Sequence, residues 1–212
     1  MSTAASRADG GLRGADVSRQ TVQPSWVRLT HWINVLAVLV LVSSGWRIYN
    51  ASPIFGFTFP KQITLGGWLG GALLWHFAAM WVLFVNGLIY LCANIVSGRL
   101  RHRFWPLTAR QIASDLVAAL RGHLSHDDLR QYNAVQKFAY LGAIGLLVLV
   151  VLSGLAVWKS VQLPLLRELM GGYDNARIVH FFAMAGLVFF TLVHVIMVAL
   201  VPRTLLLMIR GR

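Results

Sequence analysis

The chain has 212 residues, 57% of them hydrophobic and only 12% charged, about half the charged share of an ordinary soluble domain, which excludes a water-soluble enzyme and leaves a membrane protein with little soluble mass. Its formal charge of +12 sits on basic residues between apolar runs, the pattern of topology signals and anionic-lipid contact rather than of nucleic-acid binding. The single cysteine, Cys92, excludes an internal disulfide and a thiolate-held cluster.

Residues 1–25 are small, polar, glycine-rich and basic and read as a flexible cytoplasmic tail. They do not read as a signal peptide, because no clear small-x-small site follows and the first apolar run opens with His31. Trp26 and Trp32 read as interfacial anchors. The first predicted span covers about 30–49; Pro53, Gly56 and Pro60 then break any helix. The segment FGFTFPK that follows is expected at the bilayer surface.

The second predicted span, about 69–96, exceeds the roughly 20 residues a bilayer needs, so tilt or a protruding end is expected. Gly66, Gly67, Gly70 and Gly71 before its core permit close backbone approach, to another helix or to a porphyrin edge. Residues 98–136 form the one sizeable polar connection and contain six arginines. Within it, LTARQIASDLVAALRG has leucines and alanines at helical spacing, which predicts an amphipathic interfacial helix between the second and third spans.

The third predicted span, about 138–158, carries Gly142, Gly145 and Gly154, suited to tight packing. Residues 159–176 hold Pro164 and a GGYDN turn, with Asp174 and Asn175 as caps for the next helix. The fourth span, about 178–201, ends at Pro202, and 206–212 read as a basic cytoplasmic tail. The fold class is therefore an all-α integral membrane protein: a four-transmembrane-helix bundle over 26–205, with no internal repeat evident.

Orientation follows from basic residues. Four precede His31, seven lie in 98–137 and three in the C-terminal tail, so 14 stand on one side of the membrane. Arg47, Lys61, Lys159, Arg167 and Arg177 make five on the other. An even number of spans with this bias places both termini in the cytoplasm of a bacterial inner membrane.

The fourth span carries His180 and His194, 14 residues apart. They lie roughly 21 Å apart along a helix axis and return to nearly the same face, within a bilayer core of about 30 Å. His31 opens the first span at the depth of His194. His76 lies about 15 Å inward of Gly66 and about 33 Å from Gly98, at the depth of His180. Two pairs result, His31 with His194 on the cytoplasmic side and His76 with His180 on the periplasmic side.

Imidazole in hydrocarbon is costly and needs a reason. A low-spin haem needs two axial nitrogens on opposite faces of its ring, and a helical bundle supplies them from facing helices. Two bis-histidine b-type haems, with iron ligands His31, His76, His180 and His194, explain all four residues. Single intramembrane histidines more commonly serve proton relays or bond a nearby serine or carbonyl. Zinc wants more ligands at one depth, and without a CxxCH motif covalent haem attachment is excluded.

Arg28 and Arg177 each stand one turn before a histidine. Both are candidates to pair with haem propionates, and equally to anchor a helix end. Arg47 and Lys61 suit steering of an anion, Asn86 an interhelical hydrogen bond, and Asn34 a place beside the cytoplasmic-side haem. Tyr132, Asn133 and Lys137 are weaker candidates for a propionate or quinone, and His102, His123 and His126 read as surface residues. Leu187, midway between the two histidines of the fourth span, reads as apolar filler between rings.

HWINVLAVLVLVSSG around His31, WHFAAMWVLFVNGLIY around His76, YNAVQKFAYLG before the third span and ARIVHFFAMAGLVFFTLVHV around His180 and His194 resemble the bacterial cytochrome b561 superfamily. The nearest branch in pattern is the hydrogenase-type and thiosulfate-reductase-type cytochrome b subunits. The resemblance covers roughly 25–205 and implies axial ligands at His31, His76, His180 and His194. It also implies electron exchange between quinone and a periplasmic partner: a molybdopterin oxidoreductase, a nickel-iron hydrogenase or a cytochrome. The chain lacks an obvious long extra segment for such a partner, which keeps open a partner-free superoxide:quinone oxidoreductase as the alternative, for which Arg47, Lys61 and Arg177 would supply steering charge. A purely structural haem anchor would need only one haem, and nothing in the four spans marks a transporter.

Overall fold

The computed structural model describes residues 24–98 and 134–211, together with Arg110, Ser114 and Val117 between them. Its long helices are α1 (Ser25–Ala51), α2 (Leu69–Val96), α3 (Ala134–Trp158) and α5 (Tyr173–Leu200). A short α4 (Pro164–Leu169) precedes α5, and α6 (Arg203–Arg210) follows it. Among the described residues, these four long helices are apolar and long enough to cross a membrane, and none forms a strand.

Hydrocarbon offers backbone groups no partner, so each span must satisfy its own as helix. Hydroxyls inside the spans follow the same rule by donating to the carbonyl four residues back: Thr30 to Trp26, Ser43 to Leu39, Ser44 to Val40, Ser153 to Leu149 and Thr191 to Leu187.

The spans pack as two hairpins. Helix α1 lies along α2, and α3 along α5, while the two hairpins have little backbone contact with each other. The buried positions are mostly small: Ala37, Ala72, Ala79, Ala143, Ala156, Ala176 and Ala183, with Ser44 and Ser153 fully enclosed. Small side chains let helix backbones approach where no water-driven force presses them together. Large apolar residues such as Leu36, Leu74, Phe182 and Phe189 face outward, as expected of a surface solvated by lipid.

The α1–α2 connection folds back over the bundle. Asn50 holds Phe59 at both backbone groups, accepting from its N–H and donating to its carbonyl at 2.8 Å each. Trp46 stacks on Phe59 with centroids 4.7 Å apart, and Tyr49 and Phe57 both lie against Phe181. Two glycines stand before α2 and two in its first turn. Gly66 has φ 106° and its missing Cβ position is taken by the Ala72 backbone, while Gly70 and Gly71 lie beneath the Trp68 indole. A chain that doubles back this tightly needs both the left-handed conformation and the absent side chain.

Beyond α5, Pro202 turns the chain into α6, whose last turn is closed by Gly211 at φ 81°. This segment reads from sequence as span end and basic tail, yet it forms an eight-residue helix. Between α2 and α3, Arg110, Ser114 and Val117 are helical. The remainder of the expected interfacial helix, and His102, His123, His126, Tyr132 and Asn133, lie outside the described residues.

Candidate functional site

The 14-residue spacing in α5 places His180 and His194 toward the other hairpin. His194 faces His31 of α1 with ring centroids 6.2 Å apart and planes at 64°. His180 faces His76 of α2 at 6.4 Å and 66°. A metal–imidazole bond of about 2 Å, plus about 1.1 Å from nitrogen to ring centre, puts two imidazoles trans on one metal at about 6.2 Å. Both pairs stand at that separation. Among the described residues no three His, Cys, Asp or Glu side chains converge as a metal site. Two facing imidazoles with no third such ligand among the described residues suit a metal whose other four ligands come from a macrocycle.

The two pairs are seated differently. Ser44 donates its one hydroxyl proton to the Val40 carbonyl at 2.6 Å, and its oxygen lies 3.1 Å from His76 Nδ1. Ser153 donates to the Leu149 carbonyl at 2.6 Å and lies 3.1 Å from His180 Nδ1. With each hydroxyl proton committed to a carbonyl, the serine oxygen accepts, so both imidazoles donate from Nδ1. That tautomer leaves Nε2 with a free lone pair for a metal. Gly45 and Gly154 adjoin the same rings: a Cβ would meet Cε1 of His76 at 3.4 Å and of His180 at 3.1 Å. A Ser-Gly pair on α1 thus seats the histidine of α2, and a Ser-Gly pair on α3 seats that of α5. This local correspondence between the hairpins is a repeat not evident from the sequence alone. The signal was present as SG within two apolar spans, but it has no meaning until the facing histidine is known.

At the other pair the neighbours are aromatic. Trp32 meets His31 edge-on at 5.5 Å, and Phe190 stacks on His194 at 5.9 Å. One turn before His31, Arg28 donates from Nη1 to the Ile209 carbonyl at 2.7 Å, and Trp32 Nε1 donates to the Met208 carbonyl at 3.3 Å. Both acceptors are last-turn carbonyls of α6, which a helix leaves unpaired. Among the described residues, Arg28 Nε, buried one helical turn from His31, has no hydrogen-bond partner. Asn86 bridges toward α1, donating to the Thr30 carbonyl and to Asn34 Oδ1 at 2.7 Å each, the interhelical role its depth predicts.

Arg177 is already engaged. It donates to the Ser52 carbonyl at 2.6 Å and lies 4.0 Å from Asp174, clasping the start of α5 to the end of α1. An apolar cleft of about 260 Å³ opens among Trp46, Phe57, Phe59, Phe181, Met184, Ala185 and Val188.

The model of the prokaryotic cytochrome b561 family matches residues 22–211. The chain is 65% identical, over 190 residues, to a protein of Azospira oryzae named "Putative protein-methionine-sulfoxide reductase subunit YedZ1". That match covers 90% of this chain and 96% of the relative. No solved structure matches. With its facing histidines carried on membrane-spanning helices, the chain belongs to the prokaryotic cytochrome b561 family, as a multi-pass membrane protein that binds haem and transfers electrons.

Proposed function

We propose that the protein is a dihaem b-type cytochrome that carries electrons across the bacterial inner membrane between the quinone pool and a periplasmic redox partner. The observation that carries this reading is the pair of imidazole couples, 6.2 and 6.4 Å between centroids, stacked along one helix. His31 and His194 hold one haem on the cytoplasmic side, and His76 and His180 hold the other on the periplasmic side. A haem supplies a one-electron ferric/ferrous couple at each position.

The protein's own groups bind and orient. His76 and His180 offer Nε2, and the apolar walls of the bundle exclude water and so favour low net charge. The buried Nε of Arg28 is suited to a propionate of the His31/His194 haem. Arg177 belongs to the end of the His76/His180 haem, where its bonds to Ser52 position α5. The charge bias of the sequence supports cytoplasmic termini, with 1–25 a tail, 26–205 the haem domain, an amphipathic helix lying at the interface between the second and third spans, and 206–212 a basic end.

The relative's name favours a partnered cytochrome over partner-free superoxide oxidation. The partner we propose is an oxidoreductase that reduces oxidised methionine in proteins. Reducing a sulfoxide to a thioether consumes two electrons and two protons and releases water, and a quinol releases the same two electrons and two protons. The electrons cross one at a time.

The test is a pyridine haemochrome count on the detergent-purified protein, followed by reduction with a soluble quinol. Two b-haems per chain, both reduced by quinol, is the expected result. One haem or none overturns the dihaem reading; two haems that quinol leaves oxidised overturn the quinone assignment.

A further inference from the structure

Both imidazoles of the His76/His180 pair are held by the same device, and among the described residues neither imidazole of the His31/His194 pair is. Ser44 and Ser153 are fully enclosed. Each points its proton at a carbonyl 2.6 Å away and presents its oxygen to Nδ1 at 3.1 Å. The rings lie against the adjoining glycines, where an added Cβ would meet Cε1 of His76 at 3.4 Å on Gly45 and of His180 at 3.1 Å on Gly154. Around His31 and His194 the corresponding neighbours among the described residues are the rings of Trp32 and Phe190.

An acceptor at the far nitrogen of a metal-bound histidine fixes the tautomer and the ring orientation and makes the ligand more electron-rich. A serine already donating to a carbonyl is a better acceptor than a free one, because chained hydrogen bonds polarise one another. The effect grows in a low-dielectric interior, where the bond has no competition from water.

We infer that Ser44 and Ser153 are positioning residues that hold the ligands of the His76/His180 haem from both faces and draw its reduction potential down, leaving the His31/His194 haem untouched. The inference rests on the dihaem reading above. The two serines act on opposite faces of one macrocycle, so removing either moves the same redox wave in the same direction.

The experiment is a spectroelectrochemical titration of the full-length protein in detergent, comparing wild type with Ser44→Ala and Ser153→Ala. Haem content is measured in parallel. Each variant is expected to favour the ferrous form of one haem by roughly three- to tenfold, tenfold being about 59 mV for one electron. The wave that moves is the same in both variants, and the second stays in place. Ser44→Cys and Ser153→Cys keep the volume with a weaker acceptor and are expected to move that wave less. They serve instead where an alanine variant fails to assemble. A serine that merely filled space would leave the potential unchanged in the cysteine variants.

Two bound haems with neither wave displaced overturn the inference, as does displacement of different waves by the two variants. A wild-type count of one haem strikes the dihaem reading instead. In that case the single wave must still rise in both variants, and one that does not overturns the seats as well.

Discussion

Arg28 and Ile209, at opposite ends of the sequence, are joined by a 2.7 Å hydrogen bond from guanidinium to carbonyl. The first turns of α1 and the last turn of α6 thereby form one unit beside the His31/His194 pair. A cation at a helix C-terminus offsets the partial negative charge of the unpaired carbonyls, typically by about 0.3–1 kcal/mol. Its buried Nε has no partner among the described residues.

Arg28→Ala removes both functions. Hydrogen exchange over Arg203–Arg210 is expected to quicken as α6 loses its cap. In the same protein, the potential of the His31/His194 haem falls, because a positive charge that favoured the ferrous form is gone. Unchanged exchange, or displacement of the other haem's potential, counts against the placement of Arg28.

Ligand replacements divide by pair. His194→Ala and His31→Ala are each expected to cost one of two haems by pyridine haemochrome, and the same haem. His76→Ala and His180→Ala cost the other. The double variant His180→Ala/His194→Ala binds none. Retention of two haems by any single variant breaks the pairing read from the 6.2 and 6.4 Å ring separations.

The glycine seats are unequal, which makes a graded prediction. A Cβ at Gly45 meets His76 at an ordinary 3.4 Å, but at Gly154 it meets His180 at 3.1 Å, closer than packed carbon atoms prefer. Gly154→Ala therefore tilts or displaces the His180 ring and lowers haem content or alters the low-spin electron paramagnetic signal. Gly45→Ala leaves both near wild type. The reverse order sinks the assignment of these contacts.

Asn86→Leu removes the two bonds that tie α2 to α1 at Thr30 and Asn34. Interhelical hydrogen bonds in bilayers contribute about 0.6 kcal/mol on average and up to about 1.7. Asn34 Oδ1, left without this donor, puts the expected loss toward the upper end. Thermal unfolding in detergent, followed at the haem band, measures it; a variant as stable as wild type shows that the bridge carries no net energy.

Much of the architecture is local and is therefore legible in one dimension. Four apolar runs of membrane length, the breaks at Pro53 and Pro202, and the return of His194 to the face of His180 all follow from helical rise and turn. The depths of His31 and His76 follow from counting residues from the span ends. The same counting pairs His31 with His194 and His76 with His180, and those are the rings that face each other.

What the sequence could not settle depends on how each helix is rotated and what it leans on. Ser44 and Ser153 look like any hydroxyl bonded back within its own helix, until α1 and α3 are turned to meet His76 and His180. Gly66, Gly70 and Gly71 suggest helix packing, yet Gly66 makes the turn before α2 while Gly70 and Gly71 lie beneath Trp68 in its first turn. The C-terminal helix has too few residues to announce itself, and its order comes from Arg28 and Trp32, some 180 positions earlier. A helical period specifies the face a residue occupies; only the packed bundle specifies what stands opposite that face, and the chemistry of a bound haem depends on both.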